Sequence, residues 1–159
     1  MTVVLHDIRS AHNVGSIFRT ADAAGVMRMI LCGITPGPLD RFGRFNSKVT
    51  KVSLGAEKAV AWERAPSAPS VLERLRSDGF TLIAIEQDDH SLPYYQVKLT
   101  PSSWTKTALV LGNEISGLPR QILALADKVA EIPMSGKKES LNVAVAFGIV
   151  LFHLLPREG

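Results

Sequence analysis

Three separated segments of this chain hold the residue types from which a reactive site could be built. They are Asn13-Val14-Gly15-Ser16-Ile17-Phe18-Arg19, Gly112-Asn113-Glu114, and Ile132-Pro133-Met134-Ser135-Gly136 leading to Ser140-Leu141-Asn142. Arg19 supplies a planar guanidinium cation that can grip phosphate oxygens with two parallel N–H groups. It can stabilise an oxyanion more readily than it can act as a base. Asn113 and Glu114 offer donors and acceptors just past Gly112, where the absence of a side chain lets another group approach the backbone. Each segment also has a plain structural reading: a helix-surface arginine, a strand-to-helix turn, and Ser140 as helix N-cap with Asn142 in the first turn.

These segments need elements to hold them. Strand-like and helix-like patterns alternate along the chain, which predicts an α/β fold built on a mostly parallel sheet flanked by helices. Strands are expected near Val3–His6, Met29–Ile34, Thr81–Glu86, Ala108–Gly112 and Lys128–Ile132. Helices are expected near His12–Ala24, Val49–Ala61, Ser70–Ser77, Pro119–Ala126 and Leu141–Leu154, with loops around Ala65–Pro69 and Leu92–Ser103. Each reactive segment then lies where a strand gives way to a loop or helix, which is where open α/β folds keep their ligands.

In the first helix Val14, Ile17, Phe18, Ala21 and Ala24 recur at helical spacing and Gly25 follows as a natural C′ residue, so Arg19 falls nearly opposite the apolar stripe. Gly15 costs that helix about 1 kcal/mol relative to alanine unless something must come close to its backbone. The last helix is different. Val143 to Phe152 is almost continuously apolar, too short to cross a bilayer, for which about 20 residues are needed, and without a polar face for water. The sheet can cover one side; a second copy of the chain is expected to cover the other, giving a homodimer, with coverage by the chain's own helices as the alternative.

At 159 residues, 46% hydrophobic and 21% charged, the sequence predicts one domain over residues 1–159 with a sizeable core. Met1-Thr2-Val3-Val4-Leu5 reads as a first strand and not as a signal peptide, so a cytoplasmic protein with no membrane partner is expected. Cys32 is the single cysteine and reads as a buried small hydrophobe; His6, His12, His90 and His153 lack metal-ligand spacing, and no metal is expected. No Gly-x-Gly-x-x-Gly or Gly-Lys-Ser/Thr motif supports a dinucleotide or nucleotide-triphosphate enzyme. The net charge of +3 is mildly basic. Its distribution matters more: Arg41, Arg44, Lys48 and Lys51 lie together without an acid, interleaved with Phe42 and Phe45. Cations for phosphates and rings for bases are what looped RNA requires, although a solvated loop whose phenylalanines tuck into the core would have the same composition.

In order and spacing the three segments resemble the signature motifs of the SpoU-type (TrmH-like) RNA 2′-O-ribose methyltransferases of the SPOUT superfamily, over almost the whole chain. The resemblance implies a SPOUT fold with a C-terminal deep trefoil knot, a rare departure from unknotted topology. It implies S-adenosylmethionine as cofactor and a ribose 2′-hydroxyl of tRNA or rRNA as substrate. Carried over residue by residue, it assigns catalysis to Arg19, Asn13, Glu114, Ser140 and Asn142. Cofactor binding falls to Ile85, Glu86, Gly112, Asn113, Ile132, Met134, Leu141 and Ala144, with Ile132-Pro133-Met134 an apolar edge suited to adenine. The expected RNA contacts are Arg41, Phe42, Arg44, Phe45 and Lys48, since relatives with an added RNA-binding domain carry it before a first strand that here begins near Met1. One departure stands out: Ile115 follows Glu114 where the family usually places glycine, and isoleucine tolerates positive φ poorly. A non-catalytic RNA-binding or assembly protein on the same scaffold is the alternative.

Overall fold

Short β-branched and leucine-rich runs bounded by turns form a parallel sheet covered on both faces in the computed structural model, which describes residues 1–156. The strands are β1 (Thr2–His6), β2 (Arg28–Cys32), β3 (Ala61–Ala65), β4 (Thr81–Ile85), β5 (Leu92–Pro93), β6 (Thr107–Leu111) and β7 (Lys128–Glu131). They lie in the order β3-β2-β1-β6-β4-β7-β5, and every pairing is parallel. Side chains alternate between two cores. Val3, Leu5, Met29, Leu31, Leu109 and Leu111 face one layer, and Val4, Ile30, Cys32, Leu82, Ala108 and Val110 the other. Each fully buried aliphatic side chain adds about 1.5–3 kcal/mol of transfer free energy, so the central strands carry much of the favourable burial of the fold.

The first layer is closed by α1 (Ala11–Ala23), α2 (Ser47–Ser53), α3 (Ala56–Ala59) and α7 (Val143–Leu154); the second holds α4 (Ala68–Ser77) and α6 (Arg120–Leu125). Helix α1 ends as expected. Gly25 takes φ +69, its N–H donates to Asp22 O, and the Val26 N–H donates to Ala21 O, the paired bonds of a Schellman motif. Gly15 faces the backbone of α2: a Cβ there would lie 2.6 Å from Val49 O and 2.8 Å from Val52 Cβ. The close neighbour of Gly15 is therefore a helix of its own chain.

Several expectations needed correction. The helix expected over Val49–Ala61 is two, α2 and α3, because Leu54 and Gly55 both adopt positive φ and break it. The residues after it form β3, an edge strand whose half-exposed, charged sequence Ala61-Trp62-Glu63-Arg64-Ala65 hides its period. The long loop expected over 92–103 contains the two-residue β5, a 3-10 turn at Tyr94–Gln96 and the start of α5 (Pro101–Thr105), whose Thr100 and Ser103 form a reciprocal cap. Cys32 is buried as expected, and burial pushes its thiol up to about 12, so it is inert at neutral pH. Residues 157–159 of the expected domain lie outside the described residues.

Candidate active site

At the carboxyl ends of β1, β4, β6 and β7, the three polar segments converge on one carboxylate. Glu114 Oε2 accepts the Arg9 backbone N–H at 2.9 Å, and its Oε1 accepts the Ser10 N–H at 2.9 Å and the Asn13 side-chain amide at 3.1 Å. Asn13 Oδ1 in turn accepts the Asn142 side-chain amide at 3.0 Å. A chain of hydrogen bonds thus joins segments more than a hundred residues apart. Partial burial pushes the Glu114 carboxyl up, but the Arg9 and Ser10 amides and the Asn13 side chain outweigh it and hold the group below the usual glutamate range.

Each partner is held from its own side. Ser10 caps α1 by accepting the Asn13 N–H at 3.2 Å, and the loop before it is fixed where buried Thr35 accepts the Ile8 N–H at 3.1 Å. Asp7 turns the chain with φ +51, and its carbonyl accepts the Asn113 side-chain amide at 2.8 Å. Asn113 Oδ1 accepts the N–H groups of Ile115 and Ser116, which folds the loop after β6 into an Asx turn. The left-handed conformation in this loop falls on Gly117, φ +66, and not on Ile115. Ile115 is accommodated without backbone strain and stands at the rim, 80% exposed.

Gly112 and Gly117 are needed for the loop to fold against itself. A Cβ on Gly112 would meet Gly117 C at 2.5 Å, and one on Gly117 would meet Glu86 Oε2 at 2.3 Å. The side of Gly112 on which a side chain would stand is thus filled by the chain's own Gly117 and Leu118, while Gly112 still lines the cavity. Glu86 is likewise a brace, its carboxylate accepting the Leu118 and Gln87 N–H groups at 2.9 Å each. Gln87 then donates to Glu139 O at 2.7 Å, which ties the end of β4 to the segment ahead of α7.

The loops enclose a cavity of about 900 Å³, with Ile85, Ile132, Met134 and Leu141 as apolar walls and Asn13, Glu114, Ser140 and Asn142 as polar ones. That size and mixed lining suit a cofactor-sized ligand. Of the residues singled out in the sequence, Asn13, Ile85, Glu86, Gly112, Asn113, Glu114, Ile132, Met134, Ser140, Leu141 and Asn142 all line it. Ala144 does not, whereas Val143 and Ala146 do; the last helix begins at Val143, two residues later than expected. The N-cap of α7 is Asn142, whose Oδ1 accepts the Ala144 and Val145 N–H groups at 2.9 and 3.3 Å, and not Ser140. Arg19 lies on the exposed face of α1, away from the cavity lining. Arg9 and Ser10, which the sequence did not single out, belong to the lining. Arg41, Phe42, Arg44, Phe45 and Lys48 are exposed on the neighbouring loop and the start of α2. Among the described residues no cluster of three or more His, Cys, Asp or Glu side chains is placed to hold a metal ion, and no helix is long and apolar enough to cross a membrane.

Comparison with known proteins places this geometry in context. A model of the SpoU rRNA Methylase family matches residues 1–152. The 23S rRNA (guanosine-2'-O-)-methyltransferase RlmB of Escherichia coli (strain K12) is 34% identical over 151 residues, covering 94% of this chain and 57% of RlmB, so the chain spans little more than half the length of this relative. The A. aeolicus TrmH/SpoU tRNA modifying enzyme superposes with a TM-score of 0.78 at 30% identity, over 96% of this chain and 72% of that one. The AdoMet-bound rRNA methyltransferase from Sinorhizobium meliloti superposes with a TM-score of 0.82 at 32% identity, over 96% and 54% of the two chains.

Proposed function

The chain belongs to the SpoU rRNA methylase family, and on that premise we propose that it transfers a methyl group from S-adenosylmethionine to a ribose 2′-hydroxyl of tRNA or rRNA. Its fold is the SPOUT fold of those relatives, and the trefoil knot, the single domain and the cytoplasmic setting are part of the same proposal. The observation that carries it is the Asn142–Asn13–Glu114 chain of hydrogen bonds, which draws all three family motifs around one cavity large enough for the cofactor.

When bound there, S-adenosylmethionine supplies an electrophilic sulfonium methyl group. The chain's residues then have to align the ribose oxygen, exclude water and manage one proton. Ile132, Met134 and Leu141 offer the apolar surface for adenine. Glu114 is a poor proton acceptor, since both its oxygens are committed and its carboxyl is held low, so its role is to position the first two motifs. Asn13 and Asn142 orient each other, and Ser140 at the rim is free to meet the ribose. The charge that develops on the 2′-oxygen needs a cation, and the 2′-proton leaves to an RNA phosphate oxygen that the cation orients.

Arg19 is the family's residue for this role, yet it does not line the cavity of its own chain. The reading that reconciles the two is a homodimer in which Arg19 of one copy serves the site of the other. Helix α7 supports this: it buries Phe147, Val150, Leu151 and Leu154 but leaves Val145 and Phe152 each 51% exposed on an apolar face. Thr20, next to Arg19, sits beside α7, with its Cγ2 3.7 Å from where a Cβ on Gly148 would lie.

The test is transfer of labelled methyl from S-adenosylmethionine to total RNA from a methylase-deficient strain, followed by digestion to nucleosides. Label in 2′-O-methyl nucleosides is expected, and Arg19→Ala should lower the rate by about a hundred-fold or more. Label confined to bases, or an Arg19→Ala variant as fast as wild type, would refute the assignment.

A further inference from the structure

Beside the main cavity runs a shallower groove of about 490 Å³, and Arg9 is the one residue that lines both. Its backbone N–H is anchored on Glu114, while its guanidinium enters no ion pair or hydrogen bond among the described residues. The far wall of the groove is formed by Phe45, Asn46, Ser47 and Lys48. Phe45 sits at the end of a tight hairpin, bridged to Leu39, with the Asp40 N–H donating to Arg44 O at 2.8 Å and the Asn46 N–H to Pro38 O at 2.8 Å. Arg64 braces the hairpin's base by donating to Thr35 O at 3.2 Å and Leu39 O at 2.9 Å.

The two exposed rings of this hairpin are not equivalent. Phe42 is flanked by the guanidinium groups of Arg41 and Arg44, 4.7 and 5.0 Å from its centroid. Phe45 is 73% exposed and has no cation over its ring. Asp40, the acid of the groove, has one oxygen on the Phe42 and Arg44 N–H groups and the other on the Arg44 guanidinium at 2.8 Å, so its charge is already answered. What is left open to solvent is a flat ring in a groove that is also lined by two uncommitted cations, Arg9 and Lys48. A strand of nucleic acid matches that chemistry, with a base for the ring and a phosphate for the cations.

We infer that this groove binds the nucleotide adjoining the one whose ribose is methylated, its base stacked on Phe45 and its phosphate held by Arg9 and Lys48. The inference rests on the methyltransferase reading, because the continuity through Arg9 sets the groove beside the cavity at which the methyl donor would meet the ribose. Preplacement of Phe45 by the braced hairpin reduces the ordering cost of binding. Arg9 becomes the residue that sets the register of the strand relative to the methyl-donor cavity.

Binding of a short fluorescein-labelled single-stranded RNA, followed by anisotropy across a salt series, tests this directly, with S-adenosylhomocysteine affinity measured on the same samples. Phe45→Ala is expected to weaken RNA binding by about ten-fold, Phe45→Trp to retain it, and neither to alter the salt slope. Arg9→Ala is expected to flatten the slope of log affinity against log salt by about 0.7, the loss of one phosphate contact on a single strand. S-adenosylhomocysteine should bind Phe45→Ala as it binds wild type. If wild type binds S-adenosylhomocysteine and methylates RNA while Phe45→Ala and Arg9→Ala bind RNA unchanged, the groove assignment falls and the methyltransferase reading stands. If wild type binds no S-adenosylhomocysteine, the methyltransferase reading falls and takes the groove assignment with it.

Discussion

Glu114 shows how one side chain can set the geometry of a site without reacting in it. Its charged form receives three N–H donors, from Arg9, Ser10 and Asn13, so its folded-state pKa lies below the ordinary glutamate value. A depressed carboxyl contributes stability at pH values above the ordinary one, about 4.3, and loses that contribution as pH falls through the folded value. Glu114→Gln, which turns an amide N–H toward donors, is therefore expected to melt below wild type at pH 7, by a margin that is constant from pH 6 upward and shrinks under acid. Thermal melts of both proteins from pH 3 to pH 8 check this; a margin that grew toward acid would contradict it. Asn13, Glu114 and Asn142 were singled out through their places in the three resembling motifs, and the structure joins them in one chain of hydrogen bonds. Arg9 was not singled out, since a lone arginine in a loop looks like any solvated charge until its neighbours are known. The cap of α7 fell to Asn142 and not to Ser140, which lies ahead of the helix, for a related reason: either residue type can cap a helix, and only the backbone decides which one does.

Among the elements, the buried strands and α1 could be read closely because their apolar runs and caps are unambiguous. Gly25 ends α1 with the Schellman bonds that its position implies. The elements that escaped the sequence are those whose pattern is set by tertiary contacts. Edge strand β3 carries Glu63 and Arg64, one paired with Arg74 at 2.9 Å and the other bracing the loop at 35–39. The break after α2 depends on Leu54 at φ +52, a conformation that leucine does not advertise. Helix α7 is the element with the clearest consequence still open. Its outer stripe of Val145, Gly148, Ile149 and Phe152 is apolar, and in the proposed dimer it is covered by a second copy. Wild type is accordingly expected to be dimeric by light scattering, and Phe152→Asp to be monomeric, folded and inactive in methyl transfer. A fully active monomeric wild type would remove both the dimer and the exchange of Arg19 between copies.

For the molecule as a whole, a single parallel sheet orders four strand ends so that loops distant in sequence share one cavity. β1 lies beside β6, β6 beside β4 and β4 beside β7, which brings the segments after residues 6, 111, 85 and 131 side by side. Alternation of strands and helices predicted such a sheet but not its order, because the order is set by which strands pair and not by their period. The cavity at those strand ends is the proposed seat of the methyl donor, and the groove beside it is the proposed seat of an adjoining nucleotide. Calorimetric titration of the purified protein with S-adenosylhomocysteine, with NAD as control, tests the first of these most directly. Saturable binding of S-adenosylhomocysteine, absent with NAD and lost when a bulky side chain enters the cavity at Ala146, is the result expected. No binding by folded protein, with or without RNA present, would contradict the methyltransferase reading and favour an RNA-binding protein on the same scaffold.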